Sequence, residues 1–403
     1  MKLLKFDAFY PTNYLKSKQI ECKNDIDKFN YSEYYEWLMK QRSYLSDFFT
    51  YRMNKYNWVA REFIGHDEIL VQKLINEGLI ESPSCFKGIK YLTENLSLLK
   101  LNDVLNLKFR NIMPEFNKYF HIESYIKNFD PDIILLREPT QLDGRFFDRY
   151  RKKKFIVSLI GCPTSHTINW DTKRSNLILT ILPEYRDLFS LQGVNTVLFE
   201  YGVDSRIYNE VKTRRKNFDC VFVGLLGDPV QKMKSETMEF LAQNNRLIWW
   251  GIKGKEIEKY PNLVRTWQGQ TLGIDMYKIY GSSRIVLNDY ADTANGSNVN
   301  LRTKEVWSVG SFLLTRKPKN ITEITDKKIC EYYVSHNDCL EKIEYYLKNE
   351  EEREQIANNG REYAMKHHNY DDIVKVLMEK ITESYLDWRK RYHQGVAEKY
   401  WRG

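Results

Sequence analysis

Apolar positions along the chain fall into two regimes. Up to about residue 125 they recur every three or four residues, most clearly in YSEYYEWLMKQRSYLSDFFTYRMNKYNW, residues 31–58. That period predicts amphipathic helix laid on a sheet, with the aromatic stripe as core packing. The opening MKLLKF predicts a first strand. From about residue 130 the pattern changes to short apolar runs bounded by turn residues: PDIILLRE, KKFIVSLIGCP, SNLILTIL and NTVLFEYG. Helical stretches such as GRFFDRYRK and PEYRDLFSLQG lie between them. Strands alternating with helices predict βαβ units and a parallel sheet.

YGVDSRIYNEVKTRRKNF is polar, and residues 204–218 are expected to link two domains. The alternation then restarts. Strand CVFVGLLG leads into helix KMKSETMEFLAQ, and RLIWWGIKG, SSRIVLND and GSFLLT predict further strands. NDCLEKIEYYLKNEEEREQIANNGREYAMKH predicts helix with a break at Gly360, and DDIVKVLMEKITESYLDWRKRYHQ an amphipathic C-terminal helix. Two parallel-sheet domains would place a ligand in the cleft between them, beyond the carboxyl ends of the strands.

Composition narrows the class. Of 403 residues, 42% are hydrophobic and 29% charged, which is globular rather than disordered. No apolar run reaches membrane-spanning length, and the start lacks the pattern of a signal peptide. The six cysteines, Cys22, Cys85, Cys162, Cys220, Cys330 and Cys339, form no C-x-x-C pair. Scattered thiols fit a reducing cytoplasm. Adjacent His367 and His368 face different directions on a helix and read as structural. The net charge of +8 suits acidic ligands or anionic headgroups, but no nucleic-acid recognition motif accompanies it.

Three segments carry candidate chemistry. In VGLLG, Gly224 and Gly227 would let backbone approach a ligand, and the following helix would offer its positive end to a phosphate, with Lys232 and Lys234 adding charge. In WWGIKG, Trp249 and Trp250 point to opposite faces, and the backbone of Ile252 and Lys253 would meet a nucleobase edge or simply end a buried strand. In NGSNVNLRTKE, Ser297, Asn298, Val299 and Asn300 can turn amides toward an anion. Arg302 there offers a charge-assisted contact, to a ligand or to a surface carboxylate. Glu305, one turn on, is either a plain surface glutamate or an acceptor for two ribose hydroxyls.

FVGLLGDPVQKMKSETMEFLA, WWGIKG, GIDMYKIYGSSRIVLN, GSNVNLRTKEVWSVGSFLLT and the helical run to HHNY, in that order and spacing, resemble the C-terminal domain of GT-B glycosyltransferases. The nearest group is the spore-maturation-protein-like transferases, related to the large family-four type. YGVD, residues 201–204, resembles the segment that closes the first GT-B domain. The resemblance implies an α/β chain of two Rossmann-like domains facing each other across a cleft. An acceptor-binding domain with extra helices would occupy 1–203, a linker 204–218 and a nucleotide-sugar domain 219–370. Residues 371–403 would form a helix crossing back. It further implies that Gly224 lies at the first loop, Lys234 near the diphosphate, Ser297–Asn300 against diphosphate or sugar, and Glu305 on the ribose. Such enzymes use helix dipoles and basic side chains rather than a metal or cofactor.

Two positions depart from the pattern. Ser297 stands where family-four retaining enzymes usually carry a second Glu, which leaves inversion or retention open. In LIGCPTSH, Cys162 or Gly161 takes the place of a frequent histidine, and His166 follows. His166, Asp7 and Glu138 are therefore rival candidates for the base that an inverting transferase needs. The expected activity is hexosyl-type transfer from a nucleotide sugar, with UDP first and GDP second, to a hydroxyl of a glycan, lipid-linked precursor or protein. It would serve cell-surface polysaccharide synthesis at the cytoplasmic face of a membrane. A non-catalytic nucleotide-sugar-binding protein and a GT-B epimerase are the alternatives.

Overall fold

A computed structural model describes residues 1–6, 13–43, 46–65, 67–82, 120–137, 139, 142, 144–161, 171–211, 215–290, 301–318 and 328–401. The chain divides into two compact units. The first comprises 1–39, 50–198 and 378–403, and the second 40–49 and 199–377.

The first unit is built on a six-stranded sheet, all parallel, in the order β2-β1-β3-β4-β5-β6. The strands are β1 (Lys2–Phe6), β2 (Val59–Phe63), β3 (Ile133–Leu136), β4 (Phe155–Ile160), β5 (Leu177–Thr180) and β6 (Thr196–Leu198). β3, β4 and β5 are buried along their whole length, as expected for strands covered on both faces. Leu4, Ile134, Leu136 and Ile156 on one face pack against Leu38, Leu70, Leu74, Phe146 and Phe147. Each such side chain contributes about 1.5–3 kcal/mol on burial.

The Tyr-rich stretch, expected to be amphipathic helix, is helical only in part. Helix runs only over Tyr31–Lys40, resumes at Thr50–Lys55, and gives way to strand β2. The first helix ends at Lys40 and cannot continue through Arg42, whose φ of 51° no right-handed helix accepts. β2 escapes the sequence pattern because its Glu62 points inward, forming a fully buried ion pair with Lys5 of β1 at 2.8 Å. Thr50 Oγ1 donates to the other carboxylate oxygen at 2.6 Å. Asn54 brackets the strand's start, donating to Ala60 O and accepting from Ala60 N–H.

The second unit holds a five-stranded parallel sheet in the order β11-β10-β9-β7-β8. These strands are β7 (Phe218–Val223), β8 (Ile248–Trp250), β9 (Ser283–Asn288), β10 (Phe312–Arg316) and β11 (Glu331–Tyr333). Phe222, Trp249, Ile285, Leu287, Phe312 and Leu314 pack with Met238, Leu241, Leu263, Ile343 and Ile356. Trp249 is the inward member of the Trp pair, and its indole N–H donates to Leu263 O at 2.7 Å.

Two readings of this region are corrected. Residues 204–211, expected within a linker, start with buried Asp204 and form the helix Ser205–Val211, whose Ile207 and Val211 are buried. The segment 40–49 holds that helix: Arg42 pairs with Glu210 and Asp47, while Asp47 and Asp204 share Arg206. A network of five charges hides under a polar sequence. The second correction concerns Gly360. The helical run breaks at Asn349, between His336–Lys348 and Glu350–His367, and Gly360 lies inside the second helix. A Cβ there would sit 2.6 Å from Ile329 O and from the Trp307 ring, so close packing, not a break, demands the glycine.

Among the described residues no helix is long and apolar enough to cross a membrane.

Candidate functional site

The carboxyl ends of β7 and β8 run on as two interlocked loops. Gly224 N–H donates to Trp250 O at 2.9 Å, Ile252 N–H to Gly224 O at 3.1 Å, Leu226 N–H to Ile252 O at 3.2 Å and Gly254 N–H to Leu226 O at 2.7 Å. The approach requires glycine. Gly251 has φ +132°, and a Cβ on it would lie 2.0 Å from Gly224 O. Gly224, at φ +157°, would bring a Cβ within 2.8 Å of the Arg302 guanidinium.

This pairing sorts the sequence candidates. The amide and carbonyl of Ile252 are both spent on the loop ladder, which corrects its expected contact with a base. In the bridge between Leu226 and Lys253, the N–H and C=O of Lys253 have no partner among the described residues. The Lys253 ammonium lies 4.0 Å from the Trp267 ring centroid, and Trp267 is anchored by its indole N–H on Gly251 O. Gly227 is also reassigned. Its N–H is taken by Ser235 Oγ at 2.9 Å, and its missing Cβ makes room for Ile257.

Lys234 and Arg302 converge on one ring. Helix Lys232–Gln243 buries Lys234, with its ammonium 5.6 Å from the Phe222 centroid. Helix Leu301–Ser308 carries Arg302, whose guanidinium carbon is 4.7 Å from the same centroid and whose Nε donates to Tyr280 OH at 3.3 Å. Two cations thus stand beside Gly224 at the end of β7, a charge arrangement suited to a diphosphate.

Glu305 follows Arg302 by three residues, so both occupy one face of the helix. Its carboxyl is half-buried beside Tyr277 and Tyr280 of the helix Gly273–Gly281 and has no hydrogen-bond partner among the described residues. Burial pushes its pKa up to about 7, against the opposing pull of Arg302. A half-buried carboxylate without a donor is costly, and a ligand hydroxyl would relieve that cost.

The opposite face of this helix is fastened down. Lys304 reaches Glu200 at 3.0 Å and His368 Nδ1 at 3.1 Å, and His368 also meets Glu200 at 3.0 Å. These contacts hold Glu200 down at about 2. His368 is therefore structural, as its position beside His367 suggested. At the ends of β9 and β10, Arg316 binds Asp289 at 2.8 Å and Thr237 at 2.7 Å, while Tyr333 OH donates to Asp289 at 2.9 Å. That network fixes Asp289 just beyond the carboxyl end of β9.

Of the other sequence candidates, Asp7, Glu138, His166, Ser297, Asn298, Val299 and Asn300 lie outside the described residues. Sequence reasoning missed Phe222, Tyr277 and Tyr280. The last two were legible only as an i, i+3 pair in GIDMYKIYG. Among the described residues no group of His, Cys, Asp or Glu is placed to hold a metal ion.

A family model described as glycosyl transferase-like matches residues 232–379, a span that includes Lys234, Arg302 and Glu305. A search of curated protein sequences returned no significant match. Among solved structures, S. aureus TarM, crystallised with fondaparinux, α-GlcNAc-glycerol and UDP, is 15% identical with a TM-score of 0.45. The match covers 66% of this chain, which spans only 59% of TarM's length. Sucrose-phosphate synthase from Thermosynechococcus elongatus is 10% identical with a TM-score of 0.53, covering 96% of this chain and 100% of that one. Anabaena HepE in complex with UDP-glucose is 11% identical, also at 0.53, covering 95% and 100%. With two all-parallel sheets flanked by helices and likeness to the sucrose-phosphate synthase and HepE along nearly its full length, the chain has the GT-B fold.

Proposed function

We propose that the protein is a glycosyltransferase that moves a sugar from a nucleotide-diphospho-sugar, UDP-linked in the first instance, to an acceptor hydroxyl. One observation carries the reading. The Glu305 carboxylate, without a hydrogen-bond partner among the described residues, lies one helical turn from Arg302, at the strand end where Lys234 and Gly224 also gather. The family match over 232–379 supports it, and UDP-glucose in HepE supports the choice of base.

Each residue takes a role by its chemistry. The Lys253 backbone offers one donor and one acceptor to the base edge. Ionised Glu305 accepts from the two ribose hydroxyls. Lys234 and Arg302 neutralise the diphosphate and stabilise the charge that develops as the bond from the anomeric carbon to the phosphate oxygen breaks. The acceptor oxygen forms the new bond, and its proton passes to a base, for which Asp7, Glu138 and His166 remain the candidates. The first unit would bind the acceptor, which we place among glycans and glycoconjugates made at the inner face of the cell membrane. No metal or cofactor enters this scheme.

Thermal-shift titration with UDP, GDP, CDP and TDP tests the site, because a ligand selective for the folded state raises apparent stability. UDP is expected to raise the melting temperature most. A flat response to all four overturns the reading. Release of sugar from the matching nucleotide sugar then separates an enzyme from a binding protein, which would bind without turnover.

A further inference from the structure

The amino-terminal edge of the first unit's sheet carries a cavity of about 450 Å³ that the donor site does not use. Its floor crosses the starts of three strands: Phe155 opens β4, Asn176 precedes β5 and Asn195 precedes β6. The helix Tyr370–Trp401 walls it with Ser384, Asp387, Trp388 and Arg391, and Lys173 stands at its rim. Ligands of open α/β sheets bind at the other edge, beyond the carboxyl ends. This cavity is therefore separate from the transfer chemistry.

The aromatic wall is built of stacked rings. Tyr385, Trp388 and Tyr392 form a near-parallel ladder, with centroids 6.0 and 5.8 Å apart. Phe155 meets Trp388 edge-on at 5.7 Å. Around that wall the polar groups are only partly spent. Asn176 Oδ1 accepts from Ile156 N–H, and Asn195 Nδ2 donates to Ser384 Oγ at 2.9 Å. Asp387 pairs with Arg391. Among the described residues, the Trp388 indole N–H, the Asn176 NH2, the Lys173 ammonium and Asn195 Oδ1 have no partner.

We propose that this cavity is a saccharide-binding exosite that takes one or two neutral sugar rings of a glycan. The volume lies within the range of small-ligand pockets, roughly 300–1,000 Å³. A sugar hydroxyl both donates and accepts, which matches a lining of unspent donors with Asn195 Oδ1 and Asp387 as acceptors. A phosphate or sulfate only accepts, and would meet the Asp387 carboxylate. The apolar face of a sugar ring suits the face of an indole.

Calorimetric titration of the full chain with maltotetraose, chitotetraose and cellotetraose tests the exosite, with inorganic phosphate and anionic phosphatidylglycerol vesicles in parallel. At least one oligosaccharide is expected to bind without nucleotide present. The double variant Lys173→Ala/Asp387→Ala, both surface positions, should weaken it about tenfold, equivalent to one or two lost hydrogen bonds. Trp388→Phe keeps the ring packing, removes the N–H and should weaken binding as well. UDP affinity should stay unchanged in every variant, so failure here and failure of the donor reading register separately. Absence of saccharide binding, binding indifferent to these variants, or variant-sensitive binding of phosphate or vesicles alone would overturn the proposal.

Discussion

Replacing Glu305 by Gln should strengthen the fold while weakening nucleotide binding. In the folded protein the Glu305 carboxyl is raised from 4.5 to about 7 by burial. Between those pH values the folded state holds a proton that the unfolded chain has released. Stability therefore falls as pH rises from about 4.5 to 7, and the full cost persists above 7. Such a difference corresponds to roughly 3 kcal/mol, trimmed by water at the partly exposed residue to about 2 kcal/mol. Gln carries no charge and avoids that cost. Urea unfolding should find Glu305→Gln about 2 kcal/mol more stable at pH 8 and level with the parent at pH 4.5. Binding should move the opposite way. Two charge-assisted hydrogen bonds from ribose, weakened together, cost about 2–3 kcal/mol, or roughly 30- to 150-fold in UDP affinity. Affinity of the parent should rise through pH 7 as the carboxyl ionises, with proton release on binding below that pH. The variant should show neither effect. A variant less stable at pH 8, with UDP affinity and its pH dependence intact, would refute the assignment of this carboxylate to ribose.

Three further outcomes follow from geometry. If the diphosphate alone meets its ammonium, as proposed, Lys234→Met should lower UDP affinity about tenfold and leave uridine affinity unchanged; titration of both ligands checks this. Lys5→Met should destabilise by about 3–5 kcal/mol by stranding Glu62 in the first core, and Lys5→Met/Glu62→Leu should recover most of that in chemical denaturation. Gly360→Ala, which helix propensity alone would favour by about 1 kcal/mol, should instead lower the melting temperature, because its methyl would meet Ile329 O and Trp307.

Legibility in the sequence followed the range of the forces involved. β3, β4, β5, β7, β9 and β10 are short apolar runs fixed by local composition, and the reading located them all. So it was with Lys232–Gln243, whose bounds match KMKSETMEFLAQ. β2 was missed because the inward Glu62 looks polar until its partner Lys5, 57 positions away, is known. The helix 205–211 was read as a linker for the same reason, its ionic contacts coming from residues 42 and 47. Within the site, Gly224, Lys234, Arg302 and Glu305 were named from the sequence, and the structure brings Gly224, Lys234 and Arg302 around Phe222. Ile252 dropped out because a backbone amide's partner cannot be read from side-chain pattern. Tyr277 and Tyr280, which create the apolar surroundings of Glu305, look in sequence like any core aromatics.

The threading of the segment 40–49 into the second sheet's unit has a consequence for synthesis. Asp47 emerges early but cannot meet Arg206 until 159 more residues have been added. At about 5–20 residues per second that is a wait of roughly 8–30 s. Through that interval Arg42 and Asp47 have each other but lack Glu210 and Arg206, Phe49 lacks Phe199 and Tyr370, and the first sheet waits longer still for Tyr385 and Trp388. Neither half matures while the other is being made. A ribosome pausing between the codons for Asp47 and Arg206 lengthens the period in which this segment is open to chaperones, so the chain's yield should depend on translation speed across that interval more than on the stability of either finished half.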